Sequence, residues 1–123
     1  MKTSELTGTA LDWAVAKCEG KNGVLHDDGI TRCIVVAAPS GVYKGTYRPS
    51  INWAQGGPII EREQIETICN GMQPDGLQWV ARTQAEKWTY DPLESGPTPL
   101  IAAMRCYVAS KLGEEVEVPQ ELI

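Results

Sequence analysis

The segment from residue 98 to residue 113 constrains the fold more than any other part of the sequence. Thr98 is a suitable N-cap, Pro99 stands at the first helical position, Lys111 lies in the last turn and Gly113 follows it, so both ends of a helix are marked. Apolar side chains fill one face and leave little polar surface elsewhere, since they include Leu100, Ile101, Ala102, Ala103, Met104, Cys106, Tyr107, Val108 and Leu112. A helix of this composition is predicted to be largely buried.

A second helix is predicted near the N-terminus, from Thr7 to Glu19. Its apolar residues recur at helical spacing, and Gly20 follows where a left-handed residue is favoured. Runs rich in β-branched or alternating apolar residues predict strands at Ile30 to Ala38, Val42 to Tyr47 and Leu77 to Arg82. We therefore predict one α+β domain, residues 1–123, in which a small antiparallel or mixed sheet is packed by the N-terminal helix and the long C-terminal helix.

Several segments carry turn residues or an ambiguous pattern. Glycine, proline and polar residues predict turns or loops at Lys21 to Gly29, Arg48 to Pro58, Gly71 to Gly76 and Pro92 to Pro97. Residues 59–70 suit neither the helical nor the strand period, and strand character is favoured from Ile59 to Glu63. Valines alternate with acids after residue 113, which would suit a short edge strand.

Composition excludes several kinds of partner. The formal net charge is −5 and the basic residues are scattered, so double-stranded nucleic acid, which is bound through massed Lys and Arg, is not expected. The longest apolar stretch, Cys33 to Pro39, is far shorter than the roughly 20 residues of a membrane-spanning helix. The four cysteines are widely spaced single residues, so no zinc site, disulfide framework or cofactor is expected and the protein is predicted to be cytoplasmic.

The segment from Tyr47 to Arg62 is the best candidate for a ligand site. The indole ring of Trp53 could stack on a base, and the side-chain amides of Asn52 and Gln55 could pair with the edge of a nucleobase. The two glycines could let backbone amides approach a phosphate, and the two arginines could neutralise its charge. The residues concerned are Tyr47, Arg48, Asn52, Trp53, Gln55, Gly56, Gly57 and Arg62. The alternative is a loop packed by its own tryptophan, with the amides satisfying turn backbone.

Two further features allow a functional and a structural interpretation. Arg105 stands on a mostly apolar helix, where it either meets a ligand, pairs with an acid or extends its guanidinium to water. His26 is followed by Asp27 and Asp28, the one place where an imidazole adjoins acids. A solvated Asp-Gly turn is sufficient to explain these residues, because adjacent side chains in a turn rarely converge on one point. Motifs of nucleophilic or phosphate-binding enzymes are not found in the sequence.

Three stretches together carry a resemblance to a known family. They are residues 1–16, the string Trp-Ala-Gln-Gly-Gly-Pro-Ile-Ile at 53–60 and the string Pro-Thr-Pro-Leu-Ile-Ala-Ala-Met-Arg at 97–105. The whole chain resembles the NinX-like family of small accessory proteins of lambdoid phages and enterobacterial prophages. This resemblance implies a protein of the infected host cell that is not part of the phage particle, and accessory proteins of that kind often act in host takeover or counter-defence.

Three hypotheses of function follow from the residues and this context. The first is a homo-oligomeric protein that sequesters a small nucleotide-type host signal without cleaving it, because the sequence offers a nucleotide-sized site and lacks a catalytic set. The second is a protein inhibitor that covers a host defence or metabolic enzyme with an acidic, tryptophan-bearing surface. The third is a nucleotide-cleaving enzyme that would use His26 and the acids beside it.

Overall fold

In the residues that the structure describes, the fold combines three α-helices with two small sheets. A computed structural model describes residues 1–37, 44–83 and 94–123. Its helices are α1 (Gly8–Cys18), α2 (Trp53–Glu63) and α3 (Pro99–Leu112), and its strands are β1 (Val24–Asp27), β2 (Arg32–Ala37), β3 (Lys44–Tyr47), β4 (Glu66–Gln73), β5 (Gly76–Arg82) and β6 (Glu94–Gly96). This arrangement confirms the predicted α+β class, with an N-terminal and a C-terminal helix packed against antiparallel sheets.

Both sheets are three-stranded, and their strands pair in sequence order. The first sheet has the order β1-β2-β3, and the second has the order β4-β5-β6. All strand pairs are antiparallel. Helix α3 packs on the second sheet and on α1. The first sheet contacts the helices mainly where its strand β2 packs against α1.

The core lies between α1 and α3, as the apolar patterns of these helices predict. Leu11 and Val15 of α1 and Met104 and Val108 of α3 are fully buried. The predicted N-cap of α3 is confirmed, because the Thr98 hydroxyl oxygen accepts a hydrogen bond from the Ile101 backbone N–H at 3.1 Å. Among the described residues, no helix has both the length and the apolar character that crossing a membrane requires.

The segment after β3 corrects the sequence interpretation. Residues 53–63, predicted as a loop to Pro58 and a strand from Ile59, form the helix α2. Two glycines and an internal proline disfavour a helix locally. Burial of Ile59, together with an N-cap hydrogen bond from the Ala54 N–H to the Asn52 side chain at 2.9 Å, offsets that cost.

Gly56 shows why this helix contains glycine. A Cβ atom at this position would lie 2.5 Å from the Pro49 carbonyl oxygen and 2.6 Å from a Leu100 methyl carbon. The first turns of α2 therefore approach the preceding segment and α3 more closely than any side chain permits. At the neighbouring Gly57, a Cβ atom would meet only the Trp53 ring, at 4.0 Å.

Four shorter predictions also need correction. The predicted turn from Lys21 to Gly29 contains β1, the predicted loop from Pro92 to Pro97 contains β6, and β4 and β5 extend into the predicted turn at 71–76. β1 and β6 are short strands of four and three residues that are held by pairing with a neighbour, and β4 and β5 extend through their pairing with each other. The tail contributes one bridge between Lys2 and Glu115 and then a 3₁₀ turn, Gln120–Leu122, in place of an edge strand. Trp88 and Tyr90 lie outside the described residues.

Gly56→Ala and Gly57→Ala form a matched pair of substitutions that tests this packing. We expect Gly56→Ala to lower the free energy of unfolding by about 1–3 kcal/mol, the usual cost of overpacking. We expect Gly57→Ala to raise the free energy of unfolding by up to about 1 kcal/mol, because alanine is the better helix former. Urea unfolding of both variants measures the difference, and equal effects would contradict the close approach at Gly56.

Candidate functional site

The predicted amide side chains of the 47–62 segment are bonded to the backbone around them. Gln55 accepts a hydrogen bond from the Arg48 N–H at 2.6 Å and donates one to the Thr46 carbonyl oxygen at 2.8 Å. Asn52 caps α2. These contacts match the structural alternative, in which the amides satisfy turn backbone.

The aromatic residues of this segment have opposite surroundings. Tyr47 is buried beside the Lys21 ammonium group, which lies 5.9 Å from the ring centroid, and burial raises the pKa of its hydroxyl. Trp53 is 56% exposed on the first turn of α2. The tryptophan is therefore a surface ring, and the two aromatic side chains do not share one buried pocket.

Arg62 belongs to an ion-pair network that joins the ends of the three helices. Its guanidinium donates to both carboxylate oxygens of Glu19, at 3.0 and 2.6 Å, and to Glu63 at 2.8 Å. The Tyr107 hydroxyl donates to the same Glu19 carboxylate at 2.5 Å. These partners hold the pKa of Glu19 below its ordinary value. The network ties α1, α2 and α3 together and occupies the guanidinium that the sequence assigned to a ligand.

Arg105 also serves the fold. Its Nε donates to the Leu6 carbonyl oxygen at 2.8 Å and its Nη1 donates to the Ser95 carbonyl oxygen at 2.9 Å. Glu94 supplies an opposing charge nearby. The guanidinium thereby joins α3 to the N-terminal segment and to β6. Its partners are backbone carbonyl oxygens, whereas the sequence analysis considered a ligand, an acid or water.

A cleft of about 410 Å³ lies at the start of α1, and we call it the α1 cleft. Its walls come from the first turns of α1, the β1–β2 turn with the start of β2, and the segment after β3. The residues that line it are Gly8, Thr9, Asp12, Ile30, Thr31, Arg32, Cys33, Arg48, Ser50 and Ile51. Of the nine residues predicted to bind ligand, Arg48 is the one that lines this cleft.

The α1 cleft is suited to an anion. Its two arginines, Arg32 and Arg48, supply positive charge. Arg32 lies 3.9 Å from an Asp27 carboxylate oxygen and donates to the Glu121 carbonyl oxygen, whereas the described residues include no salt-bridge partner for Arg48. The first turn of α1 adds backbone N–H groups, since Thr7 at the N-cap makes no side-chain capping bond. Helix N-termini with unsatisfied N–H groups favour anions.

Asp12 is the buried carboxyl group of this cleft. It is 4% exposed and accepts a hydrogen bond from the Ser50 backbone N–H at 3.0 Å. Burial raises the pKa of Asp12 to about 6, although the hydrogen bonds to Ser50 and the charge of Arg48 oppose the shift. Asp12 thereby fixes the segment that carries Arg48 against α1, which makes it a positioning residue for the cleft.

Sequence reasoning missed Asp12, Arg32 and Ser50. A signal for Asp12 was present, because it stands one residue from Leu11 and three from Val15 in a helix whose other side chains are mostly apolar. A carboxylate there needs a buried partner. Arg32 and Ser50 gave no local signal, since their proximity to α1 depends on how β2 and the segment after β3 pack.

His26 does not line the α1 cleft. Its Nε2 lies 3.5 Å from an Asp28 carboxylate oxygen, and both side chains are about half exposed. Within residues 1–37, 44–83 and 94–123, no group of three or more His, Cys, Asp or Glu side chains is arranged to hold a metal ion.

Comparison with known proteins places this geometry in a family. The family model described as bacteriophage P22, NinX, matches residues 2–111. Among curated proteins, none matches the chain. The match covers α1, α2, nearly all of α3 and every residue that lines the α1 cleft.

Asp12→Asn tests the burial of the carboxyl group through the pH dependence of stability. The pKa of Asp12 is raised from 3.8 in the unfolded chain to about 6 in the folded protein. The folded state therefore binds the proton more tightly, and stability falls as the pH rises from about 4 to about 6. The asparagine side chain does not titrate, so the variant does not lose stability over this pH range. We expect Asp12→Asn to exceed the natural protein in unfolding free energy by about 2–3 kcal/mol at pH 7 and by little at pH 4.

Asp28→Asn is the matched control for this prediction. The Asp28 carboxylate accepts N–H bonds from Thr31 and Ile30, which hold its pKa below the ordinary value. Its neutralisation should therefore lower stability at neutral pH. Urea unfolding at pH 4, 5, 6 and 7 gives the difference in unfolding free energy between each variant and the natural protein. Differences of the same sign for the two variants at pH 7 would contradict a buried, destabilised Asp12 carboxylate.

Proposed function

The chain belongs to the bacteriophage P22 NinX family, and from that premise we propose that this phage accessory protein binds and sequesters a small nucleotide-type host molecule without cleaving it. The proposal includes a counter-defence role in the infected cell, in which removal of a signal molecule blocks the host response. It also includes a homo-oligomeric state. The site is the α1 cleft, and its ligand is a phosphate-bearing small molecule.

One observation carries the proposal, namely the convergence of two arginines and a helix N-terminus on a single cleft. A volume of about 410 Å³ falls within the range of small-ligand pockets, roughly 300–1,000 Å³. Guanidinium groups bind phosphate oxygens through charge-assisted hydrogen bonds. Because the protein as a whole is acidic, this cationic cleft is a local exception to its net charge of −5.

Binding without cleavage is the part of the proposal that concerns Asp12 and His26. Asp12 is the acidic side chain of the cleft, and its carboxylate is bonded to Ser50. His26 and Asp28 lie on the surface in the β1–β2 turn region. We assign Asp12 a positioning role and His26 none, so the ligand should leave the protein chemically unchanged.

Arg48→Ala should weaken ligand binding about tenfold to a hundredfold, because a charge-assisted hydrogen bond contributes about 1.5–3 kcal/mol. The ligand is first sought by denaturing purified protein and identifying released material by ultraviolet absorbance and mass spectrometry. Titration calorimetry with that compound, or with a panel of nucleotides and cyclic nucleotides, then compares the variants. Chromatography of the mixture tests for products.

Arg82→Ala is the matched control, because it removes the same charge from a pair with Glu66 on the second sheet. We expect it to bind like the natural protein. Equal losses in both variants, or no binding in any titration, would refute the α1 cleft as the site. Product formation that disappears in Asp12→Asn or His26→Ala would instead favour the nucleotide-cleaving hypothesis.

Trp53→Ala distinguishes the α1 cleft from the segment predicted by sequence. Since Trp53 is an exposed side chain, its replacement should leave the melting temperature nearly unchanged, and any change in affinity can be interpreted directly. We expect unchanged affinity. A loss of tenfold or more would locate the ligand on α2 and its flanking residues, as base stacking on this ring would require.

A protein inhibitor of a host enzyme is the second candidate, and one surface favours it. The tip of the β4–β5 hairpin carries the cross-strand pair Met72 and Leu77, which are 76% and 45% exposed. Ile68 on the same hairpin is also exposed. Exposed apolar side chains grouped on one element are typical of protein interfaces.

The double substitution Met72→Ser and Leu77→Ser tests this second function. If the hairpin binds a host enzyme, the natural protein should retain one defined partner from host lysate in stoichiometric amount, and the double variant should lose it. Circular dichroism confirms the fold of the variant. Equal capture by both proteins would exclude the hairpin as the binding surface.

A further inference from the structure

Two exposed isoleucines border the α1 cleft next to its arginines. Ile30 is 95% exposed in the β1–β2 turn, and Ile51 is 65% exposed in the turn after β3. Both line the same cleft as Arg32 and Arg48. Neither isoleucine contributes to the core, so its apolar side chain is not explained by folding.

Hydrogen bonds hold the backbone of both turns. The Asp28 carboxylate accepts N–H bonds from Ile30 at 2.9 Å and from Thr31 at 2.6 Å. On the other side, the N–H groups of Ile51 and Asn52 donate to the Arg48 carbonyl oxygen at 3.1 and 2.8 Å. The backbone segments that carry the two isoleucines are therefore held in place beside the cleft.

An anion such as inorganic phosphate would use the charged part of this cleft alone. A ligand that joins an anionic group to an apolar face would use both parts, because the isoleucines lose contact with water when the ligand covers them. A nucleobase has such faces, and it can form dispersion contacts with branched aliphatic side chains. The chemistry of the cleft thus matches a phosphate attached to a base.

We infer that Ile30 and Ile51 form a nucleobase subsite, so that the α1 cleft selects nucleoside phosphates over inorganic phosphate and sugar phosphates. This inference rests on the proposed function and defines its ligand class more narrowly. The arginines and the N-terminus of α1 contact the phosphate. The isoleucines contact the faces of the base, which leaves base identity to the polar groups beside them.

The experiment is a set of calorimetric titrations with four ribonucleoside 5′-monophosphates, ribose 5-phosphate and inorganic phosphate. The natural protein should bind at least one nucleotide about tenfold or more tightly than ribose 5-phosphate. Ile30→Ser and Ile51→Ser should each reduce this difference in affinity between nucleotide and ribose 5-phosphate severalfold. Because both side chains are exposed, the variants should fold, which melting curves check. The control is Ile68→Ser, which replaces an exposed isoleucine of the second sheet and should leave the difference in affinity unchanged.

The outcomes separate this inference from the proposed function. Equal affinity for nucleotides and ribose 5-phosphate, with binding still weakened by Arg48→Ala, would overturn the base subsite and leave an anion site. Absence of binding for every probe would overturn the inference. If the released compound and the cyclic nucleotides also fail to bind, the proposed function is overturned with it. Dissociation of an oligomer by Ile30→Ser or Ile51→Ser, with the affinity gap intact, would assign the isoleucines to an interface between copies and also overturn the inference.

Discussion

Burial of α3 on nearly all sides is the constraint on which the rest of the structure depends. The helix packs against α1, α2 and all three strands of the second sheet. At Gly96 of β6, a Cβ atom would lie 2.9 Å from the Ala102 backbone nitrogen, so the strand approaches the helix closely. Because α3 has so little polar surface, each neighbouring element removes part of its apolar surface from water. No smaller assembly of elements would cover that apolar surface.

The arginines divide into structural and accessible groups according to the partners that this packing provides. Arg62 pairs with Glu19 and Glu63 where the helix ends meet, and Arg105 binds two backbone carbonyl oxygens beside α3. Arg48 lines the α1 cleft, as does Arg32, which lies 3.9 Å from an Asp27 carboxylate oxygen and donates to the Glu121 carbonyl oxygen. A phosphate adds little binding free energy at a guanidinium that already has several acceptors. It adds more at one that has no salt-bridge partner in the described part of the chain.

The α1 cleft combines groups that oppose one another electrostatically. Burial disfavours the charged form of Asp12, whereas Arg48 and the Ser50 N–H favour it. The carboxylate stabilises the position of the Arg48 segment, yet its negative charge would reduce the attraction of the cleft for an anion. A site of this kind costs stability in the empty protein, and such costs are common where a protein is built for binding.

The sequence by itself determined the α+β class, the two packing helices and the strands β2, β3 and β5, because apolar periodicity and capping residues act locally. Its resemblance to the family came from specific strings of residues. It predicted α3 from Thr98 to Gly113 almost to the residue. Tertiary structure alone decided that residues 53–63 are helical, since a glycine at 56 is favourable only when Pro49 and Leu100 pack against it. It likewise decided the site: Asp12, Arg32 and Arg48 are far apart in the chain, and they form one cleft because β2 and the segment after β3 pack beside α1. The proximity of these residues leaves no signal in any single segment, although the mostly apolar helix around Asp12 marked that carboxyl group as one that needs a partner.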